Sequence, residues 1–154
     1  IMQTLIEDPG VLKILLFRRN RLKTFISEQL ARQTDRWEAY AREDLATVTP
    51  RLHVDVESFK AHCDLNESFY QEIEEALRSG QQSCIETAYE DILTGSEQAR
   101  LLEFLGVEAP DTKLTQASVK QSNRDLRTHI KNFQELELAL DGSEYLMELY
   151  DNEN

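Results

Sequence analysis

The stretch Val11-Leu12-Lys13-Ile14-Leu15-Leu16-Phe17-Arg18-Arg19-Asn20-Arg21-Leu22-Lys23-Thr24-Phe25-Ile26-Ser27 decides how this chain is read. Pro9-Gly10 marks a turn just before it. Val11 to Phe17 is then a nearly continuous apolar run with β-branched Val11 and Ile14, the pattern of a central parallel strand covered on both faces. Arg18, Arg19 and Arg21 follow around Asn20, a favoured N-cap residue, so a helix starts at Arg21. A strand that delivers arginines to the first turn of a helix sets fixed positive charge beside N–H groups that have no partner within the helix. That arrangement recurs where proteins hold phosphate or sulfate. The segment reads as an anion site.

Outward from this segment, helical periodicity continues to about Leu45, with Leu22, Phe25, Ile26, Leu30 and Trp37 at buried positions, and Thr47-Val48-Thr49-Pro50 breaks it. Asp55 caps a second helix from about Val56 to Leu77, ended by Ser79-Gly80. Ser83 to Tyr89 has the β-leaning character of a second parallel strand, and a brief loop leads to a helix from about Ser96 to Leu105, closed by Gly106. Coil or a very short strand is expected around Val119. A last helix is expected from about Ser122 to Leu140, with Leu126, Ile130, Phe133, Leu136 and Leu140 on one side. Two short strands separated by helices give an α/β class, a parallel sheet flanked by helices. There is no internal repeat and no low-complexity segment.

The 154 residues suit one domain with a real core. A hydrophobic share of 40% and a charged share of 30% are ordinary for a soluble globular protein. The net charge of −12 excludes the broad cationic face that a nucleic-acid binder needs and argues against an anionic membrane surface. An anionic ligand must therefore be captured by a local cationic pocket working against the overall field. Val11 to Phe17, the longest strongly apolar run, is far too short to span a bilayer, and no secretory signal opens the chain, so the cytoplasm is expected.

Cys63 and Cys84 form no metal-type or CxxC pair and read as two thiols in a reducing compartment. His53, His62 and His129 are scattered, no catalytic base is assigned, and no metal site is indicated. Glu72, Glu74 and Glu75 read as a solvated helix face. Glu90 and Asp91, neighbours on opposite faces of a strand, read as one helix-capping acid and one salt-bridge partner.

Arg19 and Ser27 are eight residues apart, and Ser27 lies two helical turns after the cap Asn20. A guanidinium fork and a hydroxyl at this spacing can converge on one phosphate. The ordinary alternative is that Arg18, Arg19 and Arg21 are solvated loop cations and Ser27 an incidental helix serine.

Leu15-Leu16-Phe17-Arg18-Arg19-Asn20-Arg21-Leu22, then Ser27, then Ala31-Arg32-Gln33-Thr34-Asp35-Arg36-Trp37 resembles the nucleotide-binding strand and helix of bacterial sulfotransferases of the trehalose and nodulation-factor type. Tyr89-Glu90-Asp91-Ile92-Leu93, with Leu102-Glu103-Phe104-Leu105-Gly106-Val107, is similar to that family's Tyr-Glu-Asp strand and Phe-Leu-Gly-Val helix end. Val119-Lys120-Gln121-Ser122, Asp125-Leu126-Arg127 and Asn132-Phe133-Gln134-Glu135-Leu136 resemble its carboxyl-terminal segment. The resemblance implies a P-loop NTPase-like domain that binds 3′-phosphoadenosine 5′-phosphosulfate (PAPS) as cosubstrate and moves its sulfuryl group to a hydroxyl of a carbohydrate or small molecule. It also implies that Arg19 and Ser27 hold the 3′-phosphate, that Tyr89 lies near the adenine-bearing end, and that Lys120 supplies a late cation to the same phosphate. Trp37 either packs the long helix or lines the acceptor pocket.

The glycines at 10, 80, 95, 106 and 142 form no phosphate-cradling cluster. Residues 1–154 therefore read as the carboxyl-terminal portion of a single sulfotransferase domain, with the amino-terminal P-loop half absent and no activity expected of this chain alone. The open edge of the first strand would pair with the amino-terminal part or with a second copy. The alternative from another class is a non-enzymatic, acidic helical interaction module in which Arg18, Arg19 and Arg21 dock a partner's carboxylates.

Overall fold

The structure, a computed structural model, describes residues 2–37, 50–108 and 125–151. Two compact units are present, Ile1–Arg19 with Asp64–Thr115 and Asn20–Cys63 with Gln116–Asn154. Among the described residues no helix is long and apolar enough to cross a membrane.

The first unit contains α1 (Met2–Glu7), β1 (Lys13–Phe17), the later turns of α3 (Val56–Ser79), β2 (Cys84–Ala88), α4 (Tyr89–Thr94) and α5 (Gln98–Phe104). β1 and β2 pair in parallel, with Lys13 opposite Cys84 and Phe17 opposite Ala88. Both strands and their direction agree with the sequence reading. The Asp8 carboxylate accepts the Gly10 N–H at 2.8 Å and so shapes the turn that launches β1. Lys13, the one charge within the apolar run, donates its ammonium to the Asp8 carbonyl and to Gln82 Oε1. The Tyr70 hydroxyl, on α3, donates to the Leu16 carbonyl at 2.6 Å.

The expectation that β1 is a central strand covered on both faces is not met among the described residues. Among the described residues β2 is its single ladder partner. Leu12, Ile14 and Leu16 alternate onto one face and are 46%, 39% and 46% exposed. Covering both faces of a parallel strand takes elements packed on each side, and the described residues supply none over that row. β2 holds the buried position instead, through Ile85, Thr87 and Ala88.

The second unit contains α2 (Arg21–Thr34), the first turns of α3, a 3₁₀ turn (Leu126–Thr128), α6 (Phe133–Ala139) and a second 3₁₀ turn (Leu146–Leu149). Its core includes Leu22 and Ile26 from α2, Phe59 from α3, and Ile130, Leu136 and Leu140 from the carboxyl-terminal part, all essentially inaccessible. Full burial of each such side chain contributes about 1.5–3 kcal/mol. Phe25 and Phe59 meet edge to face at 5.7 Å, and Tyr145 closes on Phe59 at 5.1 Å. α3 starts where expected, with the Asp55 carboxylate accepting the Ser58 N–H at 2.8 Å.

Three boundaries differ from the sequence reading. α2 ends at Thr34 rather than near Leu45, because Asp35 takes a left-handed conformation (φ 53°) and turns its N–H back to the Ala31 carbonyl. Trp37, beyond that end, is 62% exposed and does not pack the helix. The last helix is broken into two pieces. Leu52 and Ile130 form an isolated parallel bridge, in which Leu52 N–H donates to the His129 carbonyl and Lys131 N–H to the Leu52 carbonyl, each at 2.7 Å. The Asn132 amide exchanges two hydrogen bonds with the Val54 backbone, each at 2.9 Å. Backbone groups committed to that pairing cannot also serve a helix ladder. Finally, β2 runs straight into α4 without the expected loop, so Tyr89 opens a helix rather than ending a strand. Val119 and residues 122–124 lie outside the described residues.

Candidate functional site

In the first unit the site follows from register. Because Phe17 lies opposite Ala88, the residues that leave the two parallel strands, Arg18-Arg19 and Tyr89-Glu90-Asp91, emerge side by side at the carboxyl ends of the sheet. Ligands bind at this edge in open α/β sheets. Arg19 forks onto Asp91, Nη1 to Oδ1 at 2.8 Å and Nη2 to Oδ2 at 2.5 Å. The Arg19 backbone N–H donates to Glu90 Oε2 at 3.3 Å. Arg18 lies with its guanidinium carbon 5.1 Å from the centre of the Tyr89 ring and its Nε 3.8 Å from Glu90 Oε1. The bidentate contact to Arg19 holds the Asp91 carboxyl below the usual carboxylate range, and Asp91 in turn raises Arg19. The Arg19 side chain is 55% exposed, so the fork is open to solutes.

In the second unit the first turn of α2 carries its own set of partners. The Asn20 side chain accepts the Lys23 N–H at 2.8 Å, as the sequence predicts for an N-cap. Glu148, from the carboxyl-terminal 3₁₀ turn, accepts the Leu22 N–H at 2.8 Å. Arg21 reaches Glu144 at 2.8 Å and Glu148 at 3.3 Å, with its guanidinium 4.5 Å from the Tyr145 ring centre. Burial works against the Arg21 charge, and the hydrogen bonds to Glu144 and Glu148 outweigh it, leaving its pKa raised. Burial raises the Glu148 carboxyl, with the Leu22 N–H and Arg21 pulling the other way.

Of the residues singled out in the sequence, Arg19 and Tyr89 lie in the first unit, where Arg19 holds Asp91 and Tyr89 carries Arg18. Ser27 lies half-buried on α2 in the second unit. Lys120 lies outside the described residues. Arg18, Arg19 and Arg21 each face carboxylates of their own chain, while Arg19 stays 55% exposed and Arg21 36% exposed. Of the two acids, one expected to cap a helix and one to pair with a cation, Asp91 pairs with Arg19 and Glu90 lies 3.8 Å from Arg18. Glu90 does not cap its helix but receives the Arg19 backbone. Glu144 and Glu148 were not legible as arginine partners, because they carry no local signature beyond the acidity of the tail.

The histidines hold ordinary positions. His62 lies against the Phe25 ring at 5.2 Å with Nδ1 3.3 Å from Glu28, His53 is exposed, and His129 is buried. Cys63 and Cys84 are not joined in a disulfide, and burial raises Cys84, which disfavours a reactive thiolate.

No family model matches the chain, and no solved structure matches it. Over 141 residues, 89% of its length, the chain is 29% identical to a curated protein of Rhizobium meliloti. That relative is Nodulation protein H. The Nodulation protein H of Rhizobium tropici is 27% identical over 136 residues, 87% of this chain. The matches cover 55% and 53% of those relatives, so the chain spans about half the length of the curated relatives it matches. The similarity to Nodulation protein H agrees with the resemblance to the nodulation-factor type read from the residues themselves.

Proposed function

We propose that the full-length protein is a sulfotransferase that moves a sulfuryl group from PAPS to a hydroxyl of a carbohydrate or small molecule. In this reading residues 1–154 are the carboxyl-terminal portion of one P-loop NTPase-like domain in the cytoplasm and carry its 3′-phosphate half. The observation that carries the reading is the similarity to Nodulation protein H over 89% of the chain. A second support is geometric: a forked, solvent-accessible arginine stands at the carboxyl ends of two parallel strands.

Arg19 and Ser27 hold the 3′-phosphate, Tyr89 lies toward the adenine-bearing end, and Lys120 adds a cation to the same phosphate. The acceptor oxygen attacks sulfur, the bond from sulfur to the bridging phosphate oxygen breaks, and the hydroxyl proton is released. The products are a sulfate ester and adenosine 3′,5′-bisphosphate. Such a displacement is catalysed mainly by positioning and by stabilising charge on the leaving phosphate. The five glycines form no cradle for that charge, and the match covers 55% of the relative's length, which supports a reacting loop outside these residues.

The test is titration calorimetry of the full-length protein with adenosine 3′,5′-bisphosphate and with adenosine 5′-monophosphate. Arg19→Ala should weaken the bisphosphate roughly ten- to a hundredfold, the scale of a lost charge-assisted fork, and the monophosphate far less. Equal losses for both ligands would remove the assignment.

A further inference from the structure

The Asp91 carboxylate sits on Arg19 in the way a phosphate would. It meets the end-on pair of guanidinium N–H groups with both oxygens, at 2.8 and 2.5 Å. A planar fork offers that matched pair to one bidentate anion at a time. We infer that Asp91 is an internal counter-anion of Arg19, which an incoming phosphate ester must displace, so that Asp91 sets both the affinity of the fork and its preference for dianions. This inference rests on the reading of Arg19 as a phosphate ligand.

Three observations favour exchange over a fixed structural pair. Both side chains reach solvent, Arg19 at 55% and Asp91 at 31% exposure, so water and salt screen the fork and either side chain can leave it without opening the core. The Arg19 main chain is held separately, by its N–H to Glu90, so the guanidinium can change partners without the strand end moving. Arg18, with Glu90 and the Tyr89 ring around it, stays beside the fork and supplies charge that does not depend on Asp91. Selectivity follows from competition: a singly charged anion only matches the carboxylate it must replace, whereas a phosphate monoester near neutral pH brings nearly two charges. A chain of net charge −12 gains from such a threshold, because it leaves no bare cation for any passing carboxylate.

The experiment compares full-length wild type, Asp91→Asn, Asp91→Ala and Arg19→Ala by calorimetry, with adenosine 3′,5′-bisphosphate, inorganic phosphate and acetate as probes, at low and moderate salt. Thermal melts establish that each variant is folded. Both Asp91 variants should bind the bisphosphate more tightly, by about two- to fivefold at low salt, the range of an exposed ion pair. They should also gain acetate binding relative to phosphate, and the gain should vanish when Arg19→Ala is added. Weaker bisphosphate binding in the Asp91 variants would mean that Asp91 aims the fork rather than competing for it, and unchanged affinity would mean that it does neither; both overturn the inference alone. If wild-type binding does not depend on Arg19, the nucleotide reading itself fails and takes this inference with it.

Discussion

Glu148 accepts the backbone N–H of Leu22 across 126 positions of sequence, so the first turn of α2 is capped once by its neighbour Asn20 and once from a turn distant in sequence. The two caps are joined, since Asn20 Nδ2 donates to the Glu148 carbonyl at 2.8 Å. An N-cap that serves both its own helix and a distant turn is doubly constrained, and its replacements should separate the two roles.

Asn20→Ala should cost about 1–2 kcal/mol, the scale of a lost N-cap. Aspartate is intrinsically as good a cap, yet Asn20→Asp should not restore wild-type stability. It cannot donate to Glu148, and it sets a second carboxylate beside Asp151, whose Oδ2 is 3.4 Å from the Asn20 amide. Urea midpoints for the two variants decide the matter. A fully stable Asn20→Asp protein would mean that the tail contact contributes nothing.

Burial raises the Glu148 carboxyl above its ordinary value of 4.5, so the folded protein keeps this proton to higher pH than the unfolded chain does. Its contribution to stability is therefore complete below about 4.5 and is lost as pH rises through the folded value. Glu148→Gln does not titrate. The stability of wild type minus that of Glu148→Gln should fall as pH is raised from about 4.5 toward neutrality. A difference that grows over this range would show that Arg21 outweighs burial.

Asn132→Ala removes both bonds to the Val54 backbone and leaves a buried N–H and a carbonyl unpaired, at a cost of about 1–3 kcal/mol. Amide exchange should accelerate at Val54, Leu52 and Lys131 before it does elsewhere in the second unit. Uniform acceleration would mean that the bridge has no local stability of its own.

Tyr89 carries the Arg18 guanidinium on its ring, so Tyr89→Phe should retain stability and Tyr89→Ala should lose about 0.5–1 kcal/mol with the cation–π contact. If the ring also lies against the nucleotide, Tyr89→Ala weakens adenosine 3′,5′-bisphosphate while Tyr89→Phe does not. Parallel melting and binding measurements separate the roles, and normal affinity in a less stable Tyr89→Ala protein would confine Tyr89 to supporting Arg18.

What was legible in the sequence was what short-range chemistry decides. The Asn20 and Asp55 caps, the apolar rows of α2 and α3 and the two parallel strands follow from neighbours within a few positions. The break in the last helix was not legible. Leu126, Ile130, Leu136 and Leu140 are buried whether the helix is whole or split, and the split is imposed by Leu52 and Val54, far away in sequence. The end of α2 was masked because the apolar spacing runs on past Asp35 to Trp37 while the backbone turns left-handed. At the candidate site the arginines were visible and their carboxylate partners were not, because those contacts depend on strand register and on a tail more than 120 residues away.

Each compact unit is assembled from two stretches of chain interrupted by part of the other. During synthesis this imposes an order. When β1 leaves the ribosome its ladder partner β2 is still 71 residues from being paired, as Lys13 opposite Cys84 requires. The first turn of α2 waits longer still, until Glu148 emerges. A proteolytic cut only a few residues before Glu144 would thus be felt near residue 21, more than 120 positions earlier in the sequence.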